Sequence, residues 1–493
     1  MKRRSFLLGS AALAAVGAYT LYRGQGIDAA SLSGRPQLEF PTLMDTSNSG
    51  RFKLAAMAGQ TDFGGSRSGV TAGFNQSYLG PILKMRPGTV QASVENQLEM
   101  PVSSHWHGLV VPGEFDGGPH QAIASGDIWQ PELPISQEPC TAWYHTHIHG
   151  ATATGVYAGL AGGIIVSDGR DDERGLPSTY GEDDLFLILQ DKQFSADGQM
   201  VYSGDMMSQM HGFTGDTMLV NGQVGSVAIV PKSVVRLRLL NGSNARIFRL
   251  SFDDDQPMHL VATDGGYLRK PKPIDQLQLS PGERAEVLVD FSNVEAAMLV
   301  SAPDPNGGMG GMMGRMQNVI SGLGSPFEVV AFATDDRLDK RISKLTAQLG
   351  GDVPNLRNSA VVQERRLSLD MGMGGGMMGG GMMGSAMAIN GRAFEEKTIN
   401  LRTKQGTVEK WTVSASMLAH PFHIHGVTFQ VLSENGNAPR PENRGWKDTV
   451  LVNQAVELLV RFDQPASDST PFMYHCHILE HEDAGMMGQF VVA

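Results

Sequence analysis

His475-Cys476-His477 sets a thiol between two imidazoles. Side chains on an extended strand alternate between faces, so His475 and His477 point one way and Cys476 the other. One short stretch can then serve two metal centres. His481 follows Cys476 by five residues and Met486 by ten. A thiolate, two imidazoles and a weak axial thioether make a blue-copper electron-transfer site. Met487 competes with Met486 for the axial place.

The chain holds 14 histidines, and ten of them fall in four tight clusters. These are His105-Trp106-His107, His145-Thr146-His147, His420-Pro421-Phe422-His423-Ile424-His425, and His475-Cys476-His477 with His481. Histidines scattered for packing would not recur as four H-x-H pairs. On a strand each such pair projects both rings from one face, so the four pairs supply eight imidazoles to a shared space. Neutral imidazoles suit copper, whereas magnesium and calcium want oxygen. Zinc would satisfy a single pair but leaves the separate Cys, His and Met set unexplained. His420 lies out of parity with His423 and His425, which makes it the fourth member of the site of Cys476 and His481. Among the remaining histidines, His211 follows Met206, Met207 and Met210, a spacing that fits an auxiliary copper site. His149 extends the second cluster, and His120 and His259 carry no assignment.

The elements that must position these residues read as strands. Short apolar runs broken by Gly and Pro recur over residues 36–168, 180–335 and 362–493, for example Gly162 to Val166, Val234 to Leu240 and Val456 to Phe462. This texture predicts an all-β chain of three β-sandwich domains. Long helical periodicity is scarce, with a stretch near Arg337 to Leu349 as one exception. Two cysteines exclude a disulfide framework, and Cys140 reads as a small buried apolar residue. A net charge of −12 argues against a nucleic-acid surface and is compatible with a cation substrate. Lys2, Arg3 and Arg4 before an apolar run predict an export signal of the twin-arginine kind over residues 1–30, and hence a periplasmic protein that meets the twin-arginine machinery. Residues 371–387 hold seven Met and eight Gly, and residues 309–316 repeat the pattern with four Met. Gly offers Met no core to pack into, and thioethers favour Cu(I), so these segments read as loops that capture cuprous ions.

The four clusters, written HWHG, WYHTHIHG, HPFHIHG and HCHILEHEDAGMM, resemble the motifs of the multicopper oxidases, the family of laccases, bacterial cuprous oxidases and ascorbate oxidase. The motifs stand in the family's order and span the chain. The resemblance implies three cupredoxin-like Greek-key β-sandwiches holding four copper ions. Position by position, it gives type 1 copper to His420, Cys476, His481 and Met486, and type 2 copper to His105 and His423. One type 3 copper falls to His107, His145 and His477, the other to His147, His425 and His475. Every clustered histidine is used once, which counts against a copper-free relative such as the division-associated members of the superfamily. Asp116 and Glu482 match the family's proton donors to dioxygen intermediates, a role open to carboxylates near the cluster.

The implied reaction is one-electron oxidation of a reductant coupled to reduction of dioxygen to water. The Met-Gly segment favours Cu(I) as reductant. A laccase-like phenol oxidase needs no such segment, and a copper-sequestering protein would bind without turnover. Three domains in one chain suffice for the cluster, so a monomer is expected. Cys476→Ser should abolish the blue absorption of the copper-loaded protein, checked by its visible spectrum.

Overall fold

The computed structural model describes residues 26–304, 326–350, 355–372 and 386–493. Most of the predicted export signal and the Met-rich stretch 309–316 lie outside the described residues. Among those described, no helix is long and apolar enough to cross a membrane.

Among the described residues, strands pair into six sheets, which stack two by two. In the first sandwich, Cys140–His145 lies at the edge of one sheet beside Ala161–Val166, and Arg51–Gly64 and Gly88–Asn96 form the centre of the other. The second sandwich is built around Asp184–Phe194, Val234–Asn241 and Arg284–Asp290. In the third, His420–Ile424 lies between Thr449–Val452 and Phe472–Cys476 in one sheet, and Val408–Ala415 is central in the other. Each sandwich closes on its own core of Leu, Val, Ile and Phe, the inward half of the strand alternation. The all-β, three-domain cupredoxin-like architecture expected from the sequence is therefore present.

Apolar seams fix the sandwiches to one another. Trp143, Ile82 and Ile165 of the first pack with Phe186, Ile188 and Leu240 of the second. Ala153 and Val156 of the first meet Leu479 of the third, and Ile247 of the second meets Ala419 and Leu451 of the third. Polar contacts reinforce these seams. Asp483 accepts hydrogen bonds from the Thr152 and Ala153 amides at 3.0 and 2.8 Å, which caps the helix Thr152–Ala158 across a domain boundary.

Two local expectations need correction. The stretch near Arg337 to Leu349 is no helix. It runs as an irregular strap whose Ile342, Leu345 and Leu349 pack onto Leu176, Val261 and Leu288 of the second sandwich, while the Ile342 carbonyl accepts from Val234 at 2.9 Å. Its apolar spacing imitates a helix because the strap needs an anchor every few residues. The ends of the Met-rich segment 371–387 are also not loop. Met371 and Met387 face each other across the antiparallel strands Val361–Gly372 and Ala386–Ile389. Met387 is buried in the third core with Cys476 and Met486, and Met371 packs against that core. Burial does explain these two methionines. Residues 373–385 lie outside the described residues.

Lys192, on Asp184–Phe194, is wholly buried against the first domain. Its ammonium donates to the Tyr157 carbonyl at 2.6 Å and sits 3.8 Å from the Tyr157 ring centre. Burial pushes this amine down to about 7 from 10.5, partly offset by Asp191 and Glu480. Between those values the unfolded chain holds a proton that the folded chain lacks, so this group makes stability rise with pH across that window. Lys192→Met should flatten the rise, measured by urea unfolding from neutral pH to about pH 10.

Candidate metal centres

The first and third domains each contribute half of the histidine site. In the first, His105 and His145 exchange backbone hydrogen bonds at 2.9 and 3.1 Å, and the Trp143 amide donates to the His107 carbonyl at 3.1 Å. His105 and His107 therefore ride as an extended ribbon on the strand Cys140–His145 without forming a strand of their own. In the third, His423 and His475 are register partners on adjacent antiparallel strands. His147, His425 and His477 stand just past the strand ends. The two-residue spacing works because the backbone stays extended, not because every pair lies in a sheet.

The halves meet face to face. His105 stacks on His425 at 3.8 Å between ring centres, and His107 stacks on His423 at 3.7 Å. The His477 ring lies 5.1 Å from His107 and 5.5 Å from His145. The Nε2 atoms of His147 and His425 approach His475 Nε2 at 3.3 and 3.1 Å. All eight rings are buried.

One nitrogen of most rings is anchored outward. His105 Nδ1 donates to the Asp116 carbonyl at 2.9 Å, His145 Nδ1 to the Thr146 carbonyl at 2.8 Å, and His475 Nδ1 to the Cys476 carbonyl at 3.0 Å. His423 Nδ1 donates to the Asp448 carbonyl at 2.8 Å, and His425 Nδ1 to Asp116 Oδ2 at 2.8 Å. These bonds select the tautomer whose other nitrogen bears a lone pair. Burial first, and neighbouring imidazoles second, hold His107, His147, His423 and His425 well below the usual imidazole range, hence neutral. His145 and His477 are lowered by burial in the same way.

These lone pairs find no donor. His105 Nε2, His107 Nδ1, His145 Nε2, His423 Nε2 and both nitrogens of His477 are buried without a hydrogen-bond partner. Buried polar atoms are ordinarily satisfied, and leaving one unmade costs roughly 1–3 kcal/mol. Two donors each about 2.0 Å from one ion at a tetrahedral angle stand about 3.3 Å apart, close to the spacing at which His147 and His425 each approach His475. The residues present fit soft or borderline metal ions in the space between the rings. Four groups among the described residues here hold ligand atoms within 4.8 Å of one another: His105, His107 and His145; His105, His423 and His425; His147, His425 and His475; His107, His423 and Asp448.

A separate group forms on the other face of Cys476. His420 Nδ1 lies 3.4 Å from Cys476 Sγ and 3.3 Å from His481 Nδ1, and His481 Nδ1 lies 3.7 Å from the sulfur. His420 pairs away from His423 along its strand, as parity predicts. Burial lowers His420 to about 4. Burial also pushes the Cys476 thiol far above its ordinary value, so a thiolate there requires a cation beside it. The Met486 carbonyl accepts from the Cys476 amide at 3.1 Å. Met486 shares the buried cluster of Cys476, while Met487 is paired in register with His475. Of the two methionines, Met486 is the one on the thiol side.

Both predicted carboxylates are buried at the cluster. Glu482 places one oxygen 3.2 Å from His147 Nδ1 and the other 3.2 Å from His475 Nδ1. Asp116 is held in place by Gly117, whose φ of +77° and closeness to the Ser104 carbonyl leave no room for a Cβ. Cys140 is buried and accepts from Gln137 at 3.2 Å.

Sequence reasoning missed Asp448, Thr449, Arg284 and Gly282. Asp448 Oδ1 and Thr449 Oγ1 both lie 3.2 Å from His107 Nε2. Arg284, from the second domain, holds Asp448 in a two-point pair at 2.7 and 2.5 Å. Gly282 presses its backbone so close that a Cβ would lie 2.8 Å from the His477 ring. The available signal was Lys447-Asp448-Thr449 set directly before the apolar run Val450 to Val452 in a chain poor in charge. Asp448→Asn should weaken copper binding at His107 about 10–100-fold, the usual cost of losing such an orienting partner. Competition against a chelator measures it.

Three family models, each described as multicopper oxidase, match residues 56–171, 183–313 and 370–493. The chain is 36% identical over 94% of its length to the cell division protein FtsP of Xenorhabdus nematophila, covering 93% of that protein. It is similar to the laccase-like multi-copper oxidase CueO of Ochrobactrum sp., at 42% identity and a TM-score of 0.83, covering 92% of this chain and 100% of that one. The McoA multicopper oxidase of Aquifex aeolicus superposes with a TM-score of 0.80 at 29% identity, over 93% and 99% of the two chains. With its fold, its facing histidine ribbons and these matches, the chain belongs to the multicopper oxidase family.

Proposed function

We propose that the protein is a periplasmic oxidase of copper tolerance that couples one-electron oxidation of Cu(I) to four-electron reduction of dioxygen to water. One observation carries this reading above the others: buried imidazole nitrogens that converge without hydrogen-bond partners, in two groups joined through Cys476. Four copper ions, held by the type 1, type 2 and type 3 sets named above, would supply electron transfer and dioxygen reduction.

The chain's own residues do the rest. Cys476 is one peptide bond from both His475 and His477, so a covalent path joins the two groups. The outward hydrogen bonds fix ring orientation before any ion arrives, which limits reorganisation during electron transfer. Glu482, against His147 and His475, and Asp116, against His425, hold and pass the protons that water formation consumes. The apolar seams keep bulk water from the rings.

Cu(I) is favoured as substrate by the Met-rich segment. Its ends, Met371 and Met387, are tied into the core that contains Cys476 and Met486. Export by the twin-arginine route agrees with a protein that binds its metal while folded.

A second reading, a cell-division protein without turnover, is favoured by the names of curated relatives such as FtsP. The intact ligand inventory favours the oxidase. Oxygen uptake by the copper-loaded protein with Cu(I), a phenol and Fe(II) separates the readings. The oxidase should consume one dioxygen per four Cu(I), and deletion of 373–385 should lower Cu(I) turnover selectively. Copper binding without oxygen uptake would sink the oxidase, and faster turnover of the phenol would make it laccase-like.

A further inference from the structure

The helix Met206–His211 of the second domain bears three methionines and a histidine that the histidine centres do not use. Asp205 caps it, accepting from the Ser208 amide at 2.9 Å. Ser208 is its one buried residue. Met206 and Met207 are 65% and 39% exposed, and Met210 and His211 are half-buried. Positions four apart share a helix face, so Met206 with Met210 and Met207 with His211 form one stripe turned toward water. Packing does not account for thioethers held there.

The stripe is fastened to the blue-copper set. Tyr202, just before the helix, donates to Glu480 at 3.0 Å, and the Phe213 amide, just after it, faces the same carboxylate. Glu480 precedes His481 on the helix Leu479–Asp483, against which the Met helix packs. The Met210 carbonyl accepts from His481 Nε2 at 3.3 Å, and the opposite nitrogen of that ring faces Cys476. One carbonyl and one imidazole thus separate the stripe from the thiol.

We infer that Met206, Met207, Met210 and His211 form a docking site for substrate Cu(I), from which the electron passes through the Met210–His481 contact. This rests on the proposed oxidase reading and gives it a point of electron delivery. Thioethers and a neutral imidazole favour Cu(I) over Cu(II), and burial keeps His211 below its usual basicity. Each Cu(I) loses one electron and becomes Cu(II). Four such electrons and four protons convert one dioxygen to two waters. The harder Cu(II) is held poorly by sulfur and leaves.

The test uses the full copper-loaded chain and the triple variant Met206→Leu/Met207→Leu/His211→Gln, which conserves volume. Ag(I), a soft ion that cannot be oxidised here, is the binding probe. Equilibrium dialysis should show one fewer Ag(I) bound per variant chain. KM for Cu(I) should rise about tenfold, equivalent to about 1.4 kcal/mol of binding, with the blue absorption retained. The single variant Met206→Leu, at the most exposed position, keeps folding out of the question and should raise KM in the same direction. An unchanged Ag(I) count or an unchanged KM overturns the docking site. If the parent protein binds Ag(I) at the stripe but never oxidises Cu(I), the oxidase reading fails while the metal site stands.

Discussion

Eight imidazoles crowded into a buried junction form the interaction on which this structure turns. Lone pairs that converge without protons between them repel, and burial denies them water. The fold holds them there by fixing the far side of the rings. Carbonyls of Asp116, Thr146, Cys476 and Asp448, and the Asp116 carboxylate, take the outward N–H groups. The inward nitrogens are left with one chemical remedy, a cation of suitable softness. Stability forgone in one place is thereby converted into preorganised affinity.

The second domain contributes no clustered histidine, yet it disciplines the site. Arg284 clamps Asp448, Lys447 reaches both Asp264 and Glu283, and Gly282 abuts the His477 ring. These charges are fully buried, and their pairing keeps them affordable in a low-dielectric interior. The strand Arg284–Asp290 thus carries core residues on one side and, at its start, the brace for a cluster assembled by the other two domains. The same domain supplies the Met helix beside His481.

The fold class and the convergence of the clustered histidines were legible in the sequence because both follow local rules. Alternation along extended backbone separates His475 and His477 from Cys476, and His420 from His423. Glycine and proline punctuation marks the strands. Local rules misled where another structure uses the same spacing. Ile342, Leu345 and Leu349 suit a helix face but anchor a strap. Met371 and Met387 look like members of a glycine-rich loop, yet cross-strand pairing puts them in a core. Asp448 and Arg284 were missed because 164 residues separate the partners, and no local pattern announces a pair that distant.

The sequence by itself determined the donor types, their intervals and the extended backbone that presents them, since each depends on residues a few positions apart. Only the tertiary structure decided which donors share a space. It showed that His105 stacks on His425, that Met486 rather than Met487 shares the thiol's core, and that Met210 touches His481. Those pairings depend on how three sandwiches pack. The packing is set by apolar seams and buried charges drawn from the whole chain.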